Sequence, residues 1–143
     1  MTINRSANAQ WLGNLNEGTG TLSAPGGVLS NTPYSFKTRF GDGVGTNPEE
    51  LIAAAHAGCF TMALSFALQN AGFTATSLQT RADLALNQVP GGFSIASIKL
   101  TTRGRVPGIE AARFNEIAAD AKVNCPVSKV LNCEITLDAA LEA

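Results

Sequence analysis

Between Asn47 and Gly72 the chain carries a run of residues that suits one long helix. Asn47 offers a side-chain acceptor at the cap position, and Pro48 fits the first helical residue. Glu49 and Glu50 then put negative charge at the positive end of the helix dipole. Gly72 supplies the stop after Asn70. From Leu51 to Leu68 the run is mostly apolar, interrupted by His56, Gly58, Thr61 and Ser65. Those interruptions read as a helix built into a protein core, not as a membrane span. Leu51, Ile52, Ala55, Cys59, Met62, Ala63 and Phe66 form the expected apolar stripe. Ala53, Ala54, Ala57 and Gly58 broaden it, so the helix is expected to be central and largely enclosed.

Strand and turn patterns surround this helix. Asn8–Leu15 and Gly18–Ser23 read as strands, and Pro25-Gly26-Gly27 as a turn. Tyr34, Phe36, Thr38 and Phe40 alternate with Ser35, Lys37 and Arg39, which predicts a strand with Arg39 on the face opposite the aromatics. After the helix, Ala75–Val89 and Phe93–Val106 flank Pro90-Gly91-Gly92 and predict a long hairpin. Ile109–Val123 has helical spacing, with Phe114, Ile117 and Ala121 inward. A short helix from Cys125-Pro126 to about Leu131 and a strand over Cys133–Leu137 complete the chain. This order implies an α+β fold with mainly antiparallel sheets around a long central helix.

Composition narrows the function classes. The 143 residues suit one domain, with no repeat and no low-complexity linker. Ten basic residues against 11 acidic ones give a formal charge of -1, so there is no electrostatic case for nucleic acid or an anionic membrane as partner. Charged residues make up only 15% of the chain, against roughly 25% in typical globular proteins. A second subunit covering part of the surface would account for that shortfall. The opening residues MTINRSANAQW lack the apolar stretch of an export signal, so a cytoplasmic location with reduced thiols is expected.

The three cysteines are unequal. Cys59 lies on the apolar helix, where a buried thiol often serves as a small hydrophobe. Cys125 precedes Pro126 at a helix start, where amide donors and the dipole lower a thiol's pKa. Cys133 opens a strand and reads as packing. His56, Cys59 and Cys125 could together offer three zinc ligands, but the ligands lack the tight clustering of structural zinc sites. His56 reads better as a hydrogen-bonded helix residue. The residues also allow a non-enzymatic reading, a dimeric protein that holds a small hydrophobic ligand in an apolar cavity.

Two segments carry a more specific message: Asn47-Pro48-Glu49-Glu50-Leu51-Ile52-Ala53-Ala54-Ala55-His56-Ala57-Gly58-Cys59-Phe60 and Cys125-Pro126-Val127-Ser128-Lys129-Val130-Leu131. At these positions the sequence resembles the OsmC/Ohr family of thiol-dependent peroxidases, with most likeness to the osmotically inducible branch. The likeness extends to Pro33-Tyr34-Ser35-Phe36, Val106-Pro107-Gly108-Ile109 and Glu134-Ile135-Thr136-Leu137-Asp138. It implies that residues 1-143 form a single OsmC-like domain within an intertwined homodimer. It further implies a peroxidase that reduces organic hydroperoxides, and hydrogen peroxide more weakly, in defence against oxidative or osmotic stress.

By the same resemblance Cys59 attacks the peroxide and Cys125 resolves the product to a disulfide. Arg39 and Glu49 are the implied polar partners of the reactive thiol, with Glu50 the neighbouring alternative to Glu49. No cofactor or metal is implied, and the reductant is an external dithiol, with lipoyl-type donors favoured. The chemistry is coherent, because a thiol on an apolar helix stays protonated unless a cation offsets its desolvation. Arg39 is always charged, and Glu49 could hold its guanidinium by a bidentate pair. Glu49 and Cys59 are ten residues apart, about 15 Å along a straight helix. Two helices packed antiparallel in a dimer would close that gap; the alternative is an Arg39 that spans it within one chain.

Overall fold

The computed structural model describes residues 1–143. The chain divides into two compact units, Met1–Leu51 and Ile52–Ala143. In the first, strands β1 (Asn8–Leu12), β2 (Thr19–Ser23) and β3 (Thr32–Tyr34) form an antiparallel sheet in that order. Trp11 and Tyr34 meet edge to face with ring centroids 5.4 Å apart, over Gly20 of β2. A Cβ at Gly20 would come within 2.5 Å of the Tyr34 ring, so only glycine lets these rings close over the strand.

The segment expected to continue as a strand to Phe40 instead turns into helix α1 (Phe36–Phe40). Ser35 caps it: its hydroxyl accepts from the Thr38 amide, and the Thr38 hydroxyl accepts from the Ser35 amide. This reciprocal box satisfies donors that a short helix would otherwise leave open. Phe36 and Phe40, alternate positions in a strand reading, become neighbours one turn apart with centroids 5.0 Å apart. Arg39 accordingly lies on a helix, with its guanidinium 5.3 Å from the Phe40 ring centroid.

Helix α2 (Pro48–Asn70) begins and ends as its sequence requires. The Asn47 side chain accepts from the Glu50 amide at 2.7 Å. At the other end Phe73 donates to the Leu68 carbonyl and Gly72 to that of Gln69, with Gly72 at φ 92°. These paired bonds are a Schellman stop, which needs the left-handed conformation that glycine adopts freely.

In the second unit β4 (Ser77–Val89) and β5 (Gly92–Arg105) pair as the expected hairpin, with a bulge after Ala85. Strand β6 (Glu134–Leu141) lies on the other side of β5 and runs parallel to it, the one departure from antiparallel pairing. Helices α3 (Ala111–Asn124) and α4 (Pro126–Val130) form the crossover that parallel pairing demands. The core joins Phe60, Leu64 and Leu68 of α2, Ile98 and Leu100 of β5, and Phe114, Ile117, Ala118 and Ala121 of α3. Phe114 packs so closely on Gly104 of β5 that a Cβ there would lie 2.7 Å from its ring.

The buried row of α2 is His56, Phe60, Leu64 and Leu68, not the stripe through Cys59, Met62 and Phe66. Met62 and Phe66 are 76% and 64% exposed, so the helix is far from enclosed in one chain. The reason is that α2 is apolar almost all round. It is long and apolar enough to cross a membrane by composition, and periodicity cannot single out an inward face.

Candidate active site

Cys59 sits in the middle of α2, half-buried, one residue before the core residue Phe60. Cys125 is the single residue between α3 and α4 and is fully buried. Its amide donates to the Ala121 carbonyl at 2.9 Å, and its carbonyl accepts from Lys129 at 3.1 Å. One residue thus ends one helix and begins the next, which fixes its side chain from both directions. The Cys59 thiol donates a hydrogen bond to the Cys125 sulfur, and both remain free thiols. Cys133, also free, is half-buried and packs against the core.

The two thiols are driven apart in acidity. Burial pushes the Cys59 thiol up, and its bond to Cys125 pushes it further; the Val127 amide opposes them, and the charge that Cys125 can carry adds a smaller upward push. Burial alone would also raise Cys125, but the thiol of Cys59, the amide and hydroxyl of Ser128 and the amide of Val127 reverse it. The net effect holds Cys125 below the usual thiol range. The amides face the sulfur without closing a capping hydrogen bond. Within this unit Cys125 is therefore the more acidic of the two thiols.

An apolar cavity of about 690 Å³ opens beside Cys59, walled by Met62, Phe66, Ala121 and Pro126, with Asn70 and Asp120 among its polar groups. One turn before Cys59 on α2 lies His56, fully buried, with Nε2 2.7 Å from Ser128 Oγ. Burial lowers the His56 pKa, so the imidazole is neutral at neutral pH. No three His, Cys, Asp or Glu side chains are grouped to hold a metal ion. Ser128 belongs to the Cys125 motif, yet spacing gives no sign that it meets a histidine 72 positions away. Its one local signal is its place three residues after Cys125, in the first turn of α4.

In the first unit Arg39 and Glu49 form a forked ion pair. Arg39 Nη2 donates to Glu49 Oε1 at 2.6 Å, and Nε lies 3.1 and 3.2 Å from the two carboxylate oxygens. Glu49 is the more buried partner, its side chain 12% exposed against 40% for Arg39. Glu50 takes no part; its carboxylate lies 3.5 Å from the Asn47 amide. Arg39 also borders a second cavity, of about 370 Å³, walled by Trp11, Tyr34, Phe36 and Phe40. The four residues singled out from sequence thus form two pairs, one in each unit.

An α+β scaffold holding two hydrogen-bonded thiols beside an apolar cavity defines a redox-thiol protein. The chain matches the family described as OsmC-like protein over residues 41–140. It is 52% identical over 143 residues to Peroxiredoxin OsmC of Escherichia coli, covering all of both chains. It is 34% identical over 113 residues to the Organic hydroperoxide resistance protein of Xanthomonas axonopodis, covering 77% of this chain and 76% of that one. Among solved structures, an OsmC-like protein from Vibrio cholerae superposes with a TM-score of 0.77 at 16% identity, over 96% of this chain and 99% of that one. An organic hydroperoxide resistance protein from Elizabethkingia anophelis gives 0.72 at 23% identity, over 99% and 100%. The chain belongs to the OsmC family.

Proposed function

We propose that the chain is a two-cysteine, thiol-dependent peroxidase that reduces organic hydroperoxides to alcohols, and hydrogen peroxide more weakly. The observation that carries this reading is the thiol pair: half-buried Cys59 beside an apolar cavity, hydrogen-bonded to fully buried Cys125. The relative named Peroxiredoxin OsmC, identical at 52% of positions, supports the reaction class.

In this mechanism the Cys59 thiolate attacks the terminal oxygen of the hydroperoxide. The O–O bond breaks, the alkoxide leaves with its electron pair and takes up a proton, and Cys59 becomes a sulfenic acid. Cys125 then attacks that sulfur, forming the disulfide and releasing water. A dithiol reopens the bond by exchange. Met62 and Phe66 on the cavity wall suit the organic part of the peroxide.

The surroundings of Cys59 raise its pKa, and a cation beside it would favour the thiolate that attacks. We assign this role to Arg39, held by the forked pair with Glu49, supplied by a second copy of the chain in an intertwined homodimer. Two observations support the dimer: the exposed apolar face of α2 at Met62 and Phe66, and a charged fraction too low for a fully solvated surface. Residues 1–143 act as a single OsmC-like domain in this reading. The protein works in the cytoplasm, where its three free thiols persist, and draws electrons from a dithiol, preferably of the lipoyl type.

The test is steady-state turnover of tert-butyl hydroperoxide and of hydrogen peroxide, each with dihydrolipoamide and with a thioredoxin system. Faster use of the alkyl peroxide with dihydrolipoamide is expected. Mass spectrometry after one equivalent of peroxide should show the loss of two hydrogens. Peroxide consumption without that loss would count against Cys125 as the resolving thiol, and no turnover with any donor would favour a ligand-binding role for the cavity.

A further inference from the structure

His56 is fully buried, in a row whose other members are Phe60, Leu64 and Leu68. One of its ring nitrogens, Nδ1, has no hydrogen-bond partner. A leucine would fill this position without the cost of an orphaned polar atom, so packing does not account for the imidazole. The partner that it does have is Ser128 Oγ, at 2.7 Å from Nε2.

The direction of that bond follows from the orphan. If Nδ1 carried the proton, a buried N–H would be left without an acceptor, a rare and costly arrangement. With the proton on Nε2, the unpaired atom is only a lone pair, and Nε2 donates to Ser128 Oγ. The serine hydroxyl has then accepted from His56 and must send its own proton elsewhere. Ser128 stands in the first turn of α4, three residues after the N-cap Cys125, and its hydroxyl faces the Cys125 sulfur. The titratable side chain acting directly on Cys125 is Cys59 of α2; α4 presents only the Ser128 hydroxyl and the amides of Val127 and Ser128.

We propose that His56 is a positioning residue for the resolving step: by donating from Nε2 it locks the Ser128 hydroxyl so that its proton points at the Cys125 sulfur. The proposal rests on the two-cysteine reading above and adds a role for two residues to it. Its chemistry is confined to closure of the disulfide. The Cys125 sulfur, stripped of its proton, attacks the sulfenic sulfur of Cys59; the S–S bond forms and the S–O bond breaks. The leaving hydroxide takes up the proton that Cys125 released, so Cys59–SOH and Cys125–SH give a disulfide and one water. A fixed donor favours the thiolate that attacks, whereas a freely rotating hydroxyl would not. Neutral His56 serves here without ever taking the proton itself.

The experiment follows closure alone. Reduced full-length protein is oxidised with one equivalent of tert-butyl hydroperoxide between about pH 5 and about pH 9, a range spanning the usual thiol ionisation. Remaining sulfenic acid is trapped with dimedone at intervals and counted by mass spectrometry. In His56→Leu and in Ser128→Ala the pH of half-maximal closure should rise by about one unit, a tenfold slower closure at any lower pH. His56→Gln, whose amide can still donate to Ser128, should return most of that shift, which a purely structural role would not produce. The double variant His56→Leu/Ser128→Ala should go no further than either single one.

A wild-type closure profile in both single variants would overturn the proposal while leaving the two-cysteine reading intact. Wild-type protein that forms no disulfide at all would overturn both. Should His56→Leu fail to fold, half-buried Ser128 still permits the decisive substitution.

Discussion

Cys59 and Cys125 are hydrogen-bonded partners in opposite surroundings. Cys59 hangs on a single helix at the edge of an apolar cavity, and the groups near it raise its pKa. Cys125 is sealed from solvent, tied at its amide and carbonyl to two helices, and the groups near it lower its pKa. In a single unit the sulfur that can meet a peroxide is thus the less acidic of the two. The lesson is that accessibility and acidity are separate properties in this site. A positive charge from beyond the pair would favour the thiolate at the accessible sulfur.

The severest test of that division is Cys59→Ser. It should lower peroxide turnover by roughly a thousandfold or more, the scale of losing a nucleophile. Residual turnover near wild type would transfer attack to Cys125 and end the comparison. Next in size is Arg39→Ala, expected to cost roughly 10²-fold in kcat/KM, as removal of one preorganised electrostatic partner does. Arg39→Lys should recover little, because an ammonium cannot reproduce the fork on Glu49. If disulfide closure slowed as much as peroxide attack, the arginine would not be serving Cys59 specifically.

Phe66→Ser should raise KM for a bulky alkyl hydroperoxide about tenfold, from the lost apolar contact, and leave hydrogen peroxide nearly unaffected. The smallest effects are shifts in thiol acidity, read from iodoacetamide rates against pH. Cys125→Ser removes a neighbour that raises Cys59, so Cys59 should ionise at lower pH. Cys59→Ala removes a donor that lowers Cys125, so Cys125 should ionise at higher pH. Shifts in the same direction would show that the two thiols are not coupled as described.

What was legible in the sequence was local. Asn47, Pro48 and Gly72 mark the ends of α2 because caps are settled by the residues themselves. The β4–β5 hairpin follows from alternation around Pro90-Gly91 for the same reason. Other features needed information that alternation does not carry. Residues 36–40 have a strand-like pattern, and a two-residue capping box at Ser35 and Thr38 overrides it. The box is itself a local signal, since Ser35 and Thr38 stand three residues apart.

The inward face of α2 was not legible, since an apolar surface on every side leaves the choice to the neighbours. The site divides likewise. Cys59 and Cys125 announced themselves through their motifs, while their opposed acidities depend on contacts across 66 positions. The bond between His56 and Ser128, across 72 positions, is a product of packing alone.

The parallel pairing of β6 with β5 has a further consequence, in the order of assembly. The β4–β5 hairpin can zip from its own turn, because its contacts are near in sequence. Strand β6 has to wait until α3 and α4 have carried the chain back along the sheet, at the entropic cost of closing a long loop. Cys125 lies within that returning segment, between the two helices of the crossover. Cys59 reaches its helix much earlier on a growing chain. The meeting of Cys59 with Cys125, 66 positions away, is therefore a long-range contact of the kind whose loop-closure cost falls late.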